Sequence, residues 1–152
     1  MTLRRRAAAP ILRRVIPSRL AAVDSVCREV RELIDRLGLV GNGFAVELLA
    51  RESLNNAVIH GNRRDPGRKA VLELRLGREW IRLQVSDQGR GFSPRAVRAA
   101  APCGPEASAT SGRGLCIYRL YAERTSFNRR GNRVAFWIRI HPEEGSHAGI
   151  RR

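Results

Sequence analysis

The chain has 152 residues, of which 43% are hydrophobic and 28% are charged, and its formal net charge at pH 7 is +15. This length and composition are typical of one soluble globular domain, and they exclude a disordered chain or one that folds only with disulfides. No apolar run approaches the roughly 20 residues that a membrane-spanning helix requires.

An edge strand and two helices are the first elements predicted. Ile11 to Ile16 is short and partly apolar, as in an edge strand. Apolar residues then recur at steps of three and four from Leu20 to Leu37, which predicts an amphipathic helix with Ser18 as its N-cap. A second helix is predicted from Asn42 to about His60, and Gly61 ends it.

The second half of the chain predicts two β-hairpins separated by a loop and a third helix. The two strands of the first hairpin alternate apolar and polar residues, the period of half-buried strands. The four strands are predicted at Lys69–Leu76, Glu79–Ser86, Thr125–Asn128 and Arg133–Ile140. Between the hairpins lie a Gly- and Pro-rich loop, Asp87 to Ser111, and a helix, Gly112 to Ala122. This order predicts an α+β fold: a two-layer α/β sandwich with helices on one face of a mixed, mostly antiparallel sheet.

The ends of the chain and the three cysteines indicate the domain boundaries and the cellular compartment. We expect one domain with two flanking tails, at residues 11–140, 1–10 and 141–152. The three cysteines form no CxxC pair and no Cys/His cluster, so a zinc site is not expected and the thiols fit a reducing compartment. The basic start of the chain has no secretory apolar region, although its arginines would also suit a mitochondrial presequence. We expect a cytoplasmic protein with no membrane association.

The positive charge is almost entirely arginine, since Lys69 is the only lysine. The arginines are spread along the chain and form no basic stripe interleaved with aromatic residues, the pattern that binds single strands. Direct nucleic-acid binding is therefore not expected. An acidic protein partner or a nucleotide would use the same charge.

Three short motifs carry the candidate chemistry. Glu52, Asn56 and His60 are spaced by four residues, which places a carboxylate, an amide and an imidazole on one helical face. Hard oxygen groups of this kind suit magnesium or the orientation of a nucleophile, while a plain solvent-exposed face would explain the stripe equally well. The second motif, Asp87-Gln88-Gly89-Arg90-Gly91-Phe92, follows a strand directly, and the third, Ser111-Gly112-Arg113-Gly114-Leu115, opens a helix whose free N–H groups suit an anion.

Each motif is weak alone, but their order and placement resemble the N, G1 and G2 boxes of the Bergerat, or histidine-kinase-like, ATPase fold. Within that superfamily the chain is similar to the small bacterial anti-sigma-factor serine/threonine kinases, over about Ile11 to Ile140. The resemblance implies binding of ATP and Mg²⁺. It implies that Asn56 coordinates the magnesium, that Glu52 is the general base and that Asp87 accepts a hydrogen bond from the adenine amine.

The same resemblance assigns the glycine-rich segments. Gly89 and Gly91 would shape the floor beneath the base, and Gly112, Arg113 and Gly114 would place backbone N–H groups against the phosphates. Leu115 would also belong to the nucleotide site. Ser93 to Thr110 would form the ATP lid. The neighbouring Asn55 could compete with Asn56 for the pocket, although the step of four from Glu52 favours Asn56. Roles for His60 and Arg63 stay open.

The function implied by the resemblance is phosphotransfer to a separate protein. A histidine kinase would need a phosphoacceptor helix of its own, for which we find no room, and a chaperone-type ATPase would need further domains. We therefore expect a protein kinase that phosphorylates an anti-sigma antagonist and sequesters a sigma factor. The alternative is a binding module in which nucleotide only controls the choice of partner. Homodimerisation through the sheet remains open.

Overall fold

The computed structural model describes residues 9–95 and 113–141 as a five-stranded sheet with three helices packed on one face. The strands are β1 (Leu12–Pro17), β2 (Lys69–Leu76), β3 (Trp80–Ser86), β4 (Arg124–Phe127) and β5 (Arg133–Arg139). The helices are α1 (Leu20–Arg36), α2 (Val40–Asn56) and α3 (Arg113–Tyr121). The tails predicted at 1–10 and 141–152 lie almost entirely outside the described residues.

The strands are ordered β1-β2-β3-β5-β4 across the sheet. All four neighbouring pairs are antiparallel, so the two predicted hairpins lie side by side and β1 closes one edge. The predicted α+β sandwich is thus confirmed, and within the described part of the chain the sheet has no parallel pair. The ends of β3 and β5 meet at the edge where the G1-like motif leaves the sheet, because Ser86 pairs with Arg133.

The core lies between this sheet and the three helices. Strict alternation along β2 and β3 sends Leu72, Leu74 and Leu83 inward, where they are fully buried. The apolar stripe of α1 and the middle of α2 cover them, and Phe136 from β5 fills the centre. The described helices cover this face of the sheet, and the residues between these inward positions, such as Glu73, point to the opposite face.

Two predicted helix boundaries are wrong, and the residues involved have other structural roles. Ser18 is not the N-cap of α1, because Arg19 occupies that position without a side-chain cap. The Ser18 hydroxyl instead donates to the Arg68 carbonyl, at 2.9 Å. Helix α2 begins at Val40 rather than Asn42, and the buried Asn42 side chain donates to the Arg139 carbonyl at 2.8 Å, which ties α2 to the end of β5.

Candidate nucleotide-binding site

The helix that carries the first motif ends differently from the prediction. Helix α2 stops at Asn56, and Ala57–Gly61 forms one wide π-helical turn. The Asn62 amide donates to the Ala57 carbonyl five residues earlier, at 2.7 Å. Turns of this width insert an extra residue into a helix and are frequent at functional sites. Here the turn brings the Gly61 backbone against the segment that follows β3, where the second motif begins.

A buried asparagine holds that segment in place. Asn62 is fully buried, and its side-chain oxygen accepts from the Gln88 amide at 2.8 Å. Its amide group donates to the Ser18 hydroxyl and to the Lys69 carbonyl, both at 2.9 Å. One side chain therefore fixes the end of α2, the start of β2 and the turn after β3. The sequence did not assign Asn62 a role, and its only signal was an amide directly after the glycine that ends the helix.

Asp87 is the acidic residue of this turn, and its carboxylate is half-buried. The Gly89 amide donates to its Oδ1 at 2.7 Å, while the Asn132 side chain donates to its backbone carbonyl at 3.3 Å. Burial raises the pKa of the Asp87 carboxyl above its ordinary value, and the Gly89 hydrogen bond and the positive charges of Arg68 and Arg130 oppose that rise. A fixed carboxylate of this kind can accept a hydrogen bond from an exocyclic amine.

The two glycines of the second motif permit close backbone approaches. A Cβ on Gly89 would overlap the Gly61 carbonyl oxygen. Gly91 has a φ of +78°, and a Cβ there would overlap the Arg130 carbonyl oxygen of the β4–β5 hairpin. Larger residues would therefore force the turn away from the helix and the hairpin. The predicted use of Gly89 and Gly91 as a close-packed floor is compatible with this geometry.

The first and third motifs meet where α2 passes α3. The Asn56 amide nitrogen donates to the Tyr118 hydroxyl at 2.9 Å. A Cβ on Gly114 would lie 3.2 Å from that nitrogen and 3.9 Å from Glu52 Oε2, so Glu52 and Asn56 both reach the start of α3. Because the nitrogen is bound to Tyr118, the Asn56 side-chain oxygen is the atom that remains for a ligand.

Tyr118 is a site residue that sequence reasoning missed. It is buried, and its ring lies 4.6 Å from the Phe136 ring in an edge-to-face arrangement. Burial raises the pKa of its hydroxyl, the Asn56 hydrogen bond opposes that rise and the charge of Glu52 adds to it. The hydroxyl therefore stays protonated and fixed. A tyrosine in an apolar helix reads as core, and its contact with Asn56 depends on the packing of two distant helices.

These elements enclose a cavity of about 390 Å³, within the range of small-ligand sites. Of the predicted residues, Asn56, Asp87, Gly91 and Leu115 line it. Glu52, Gly89 and Gly114 lie beside the lining, Arg113 is exposed at the first residue of α3, and Gly112 lies outside the described residues. Most of the predicted lid, Ser93 to Thr110, also lies outside them. Asn55 does not line the cavity, in agreement with the preference for Asn56.

The cavity has a basic rim on the side of the wide turn. Its lining includes His60, Arg63, Arg68 and Arg90. Arg63 and Arg64 are consecutive residues in the left-handed conformation, with φ of 53° and 56°. Such backbone is uncommon for residues other than glycine and concentrates at functional sites. The positive rim favours an anionic ligand, and the lining also includes the apolar side chains of Phe92 and Phe127, which an aromatic base can contact.

Comparison with known families identifies the domain. The family model described as histidine kinase-like ATPase domain matches residues 16–138, which is most of the chain. The chain therefore belongs to the histidine kinase-like ATPase domain family, and this membership implies ATP binding. No curated protein matches the chain. Among the described residues, no helix is long and apolar enough to cross a membrane.

Proposed function

We propose that this chain is an ATP-dependent protein serine/threonine kinase that acts as an anti-sigma regulatory factor. One observation carries the proposal: the Glu52 carboxylate lies beside Asn56 and the start of α3, where the resemblance to anti-sigma-factor kinases implies that the phosphates bind. A helix start with free N–H groups is suited to an anion. A carboxylate next to such an anion has little role in binding it, because the charges repel, but it can accept a proton there.

Magnesium would be held by Asn56 together with the phosphates. The described residues contain no group of three or more His, Cys, Asp and Glu side chains that could hold a metal ion, so an all-protein cage is not expected there. Magnesium commonly keeps its waters and takes one or two protein oxygens plus substrate phosphates. The Asn56 oxygen fits this role because Tyr118 occupies its amide nitrogen. The metal would supply charge neutralisation at the phosphates.

The reaction would be an in-line transfer to a hydroxyl. The serine or threonine oxygen of the substrate protein bonds to the γ-phosphorus, the bond from that phosphorus to the bridging oxygen breaks, and ADP leaves. Glu52 accepts the hydroxyl proton. Positioning and charge neutralisation contribute most of the rate in such transfers, so Asp87 and the backbone around Gly89 would act by orienting ATP.

The partners follow from the resemblance to anti-sigma-factor kinases. The substrate would be a small anti-sigma antagonist, and the unphosphorylated state of that antagonist would decide whether this chain sequesters a sigma factor. The alternative function, a nucleotide-gated binding module without turnover, has the same cavity and differs only in what Glu52 does. The position of Glu52 at the phosphate end favours the kinase.

The test is transfer of radiolabelled γ-phosphate from ATP to a candidate antagonist protein, to be sought among the products of the neighbouring genes. Wild type should label the antagonist, and Glu52→Ala should bind ATP as tightly in calorimetry while losing transfer. Glu32→Ala, an exposed carboxylate on α1, is the matched control and should keep full transfer. Tight ATP binding by wild type without any label on the antagonist would instead support the binding module, and equal transfer by Glu52→Ala would remove Glu52 as the base.

A separate test addresses the cavity. Asp87→Asn keeps an oxygen for the Gly89 amide but removes the charged acceptor for the adenine amine. We expect calorimetry to detect no ATP binding by this variant under conditions where wild type saturates. Unchanged affinity would show that adenine does not contact Asp87.

A further inference from the structure

The outer face of the sheet, opposite the helices, collects charges that lie far apart in the sequence. The register sets Arg75 of β2 opposite Arg82 of β3, Arg82 opposite Trp137 of β5, and Trp137 opposite Arg124 of β4. Four strands therefore contribute one row of Arg, Arg, Trp and Arg across the sheet. In the linear sequence these residues are isolated, so the row becomes visible only through the pairing.

Positive charge dominates this outer sheet face. The outward positions of the five strands carry seven basic residues, Arg13, Lys69, Arg75, Arg82, Arg124, Arg133 and Arg139. Glu73 is the one acidic residue at the outward positions of these described strands, and it pairs with both Arg13 and Arg75 at 3.2 Å. Arg82, Arg124 and Arg139 form no ion pair with the described residues. The field of the face is therefore strongly positive.

This arrangement costs the fold stability. Like charges directly opposite each other on neighbouring strands are unfavourable, and Arg75 faces Arg82. Burial lowers the pKa of the Arg82 guanidinium, and the charge of Arg75 lowers it further. Packing a positive row across the centre of a sheet is not needed to form the sheet, since polar uncharged residues would serve. The row is better explained by an anionic partner.

The face also has the composition of a protein interface. Tryptophan and arginine are the residues that most often dominate binding energy between proteins. The guanidinium groups of Arg82 and Arg124 lie 5.2 and 4.6 Å from the centre of the Trp137 ring, and Arg139 lies 5.2 Å from the Trp80 ring. The aliphatic Val15, half exposed, continues the same face on β1.

Two other occupants fit these observations less well. A second copy of the chain would bring the same positive row against itself, which is repulsive. Single-stranded nucleic acid gains affinity by stacking bases on open aromatic rings. Here the rings of Trp137 and Trp80 are engaged by the chain's own arginines, so a carboxylate that pairs with the outer edge of a guanidinium is the better match.

We propose that the outer sheet face is a docking surface for an acidic protein surface, centred on Arg82, Arg124 and Trp137. The centre of this docking surface lies outside the lining of the nucleotide cavity, and the proposal does not depend on the kinase activity. Its partner is defined by chemistry, as a protein surface rich in Asp and Glu.

The chain offers a local reporter for the test. Its only two tryptophans, Trp80 and Trp137, both lie on this face, so tryptophan emission reports binding there and not at the helices. We would titrate the full chain with poly-L-glutamate at about 50 mM salt, because charge pairing is screened at higher ionic strength. Wild type should show a saturable emission change. Arg82→Glu with Arg124→Glu should weaken binding at least tenfold.

The matched control is Arg28→Glu with Arg36→Glu, which makes the same charge change on α1 in the helical layer. It should bind within about twofold of wild type. If the sheet variant does not fold, judged by circular dichroism, the milder pair Arg82→Gln with Arg124→Gln is measured and should weaken binding at least threefold.

Three results would overturn the proposal. Equal weakening by the sheet and helix variants would mean that only the net charge matters. Tighter binding of a single-stranded oligonucleotide of matched charge, lost in the sheet variant, would identify nucleic acid as the occupant. A dimer in sedimentation equilibrium that the sheet variant dissociates would identify a second copy.

Discussion

Tyr118→Phe tests whether the Asn56 amide is held in one orientation for a metal. The substitution removes one hydroxyl and keeps the ring that packs on Phe136 at 4.6 Å. In wild type the Asn56 nitrogen donates to that hydroxyl at 2.9 Å. Without it, the amide of the free variant can turn toward other partners, and binding Mg²⁺ through its oxygen would then leave the nitrogen unpaired in a partly buried site.

The expected magnitude follows from that unpaired group. Leaving a buried donor unsatisfied costs about 1–3 kcal/mol, and partial exposure of Asn56 argues for the lower end. About 1 kcal/mol corresponds to roughly fivefold in affinity. We therefore expect Tyr118→Phe to weaken ATP binding about fivefold in the presence of Mg²⁺. With EDTA in place of Mg²⁺, the affinity of the variant should equal that of wild type.

Calorimetry of both proteins with and without Mg²⁺ measures this difference. Tyr121→Phe is the control, since Tyr121 is the other tyrosine of the chain and lies three residues along the same helix. It should leave both affinities unchanged. A Tyr118→Phe variant that weakens ATP equally with and without Mg²⁺ would refute the orienting role and indicate a general loosening of the site.

Three further predictions concern the turn after β3. Burial raises the folded-state pKa of the Asp87 carboxyl above its ordinary value of 3.8. The protonated carboxyl therefore favours the folded state, and this contribution to stability is fully present below about pH 3.8 and is lost as pH rises through the folded pKa. The free energy of unfolding of wild type in urea, relative to that of Asp87→Asn, should fall over that window, and a constant difference would contradict the raised pKa. Gly89→Ala should abolish ATP binding and lower the free energy of unfolding by about 1–3 kcal/mol, because the added Cβ would overlap the Gly61 carbonyl oxygen. Normal ATP affinity in this variant would show that the close packing of Gly89 against Gly61 is not needed for binding. Asn62→Ala should lower the free energy of unfolding by about 3 kcal/mol in the same assay, because its buried hydrogen-bond partners lose their bonds. Asn55→Ala is the control and should change it by less than about 1 kcal/mol. Similar losses in the two variants would show that Asn62 does not hold the turn in place.

The elements themselves could be predicted because local patterns decide them. The alternation of apolar and polar residues along β2 predicted both the limits of the strand, Lys69–Leu76, and the face that is buried. What could not be predicted is where a polar side chain finds its partner. Ser18 reads as a helix cap from its neighbours, yet its hydroxyl bonds to Arg68, fifty residues away, because β1 and β2 are paired.

The site residues divide in the same way, into those that a local motif identifies and those that only long-range packing reveals. Asp87, Gly89 and Gly91 were identified from one contiguous segment, and the structure places Asp87 and Gly91 at the cavity. Asn62 and Tyr118 were missed because each acts across elements that only packing brings together. The wide turn after Asn56 was missed for a different reason. The apolar pattern of Ala57 to Gly61 does not distinguish an α-helical turn from a π-helical one, and in the structure the Gly61 backbone packs against the Gly89 segment.

In the proposed kinase, ATP binding and phosphate transfer depend on different parts of this site. The cavity lining includes Asn56 and Asp87 but not Glu52, whose carboxylate lies just outside it, near the start of α3. A residue in that position adds no contact to the base and repels the phosphates, so selection for nucleotide affinity alone would favour a neutral side chain there. The presence of a carboxylate is therefore more informative about function than the cavity itself. In the proposed kinase this energetic cost is offset because the substrate hydroxyl has to lose its proton next to the γ-phosphate.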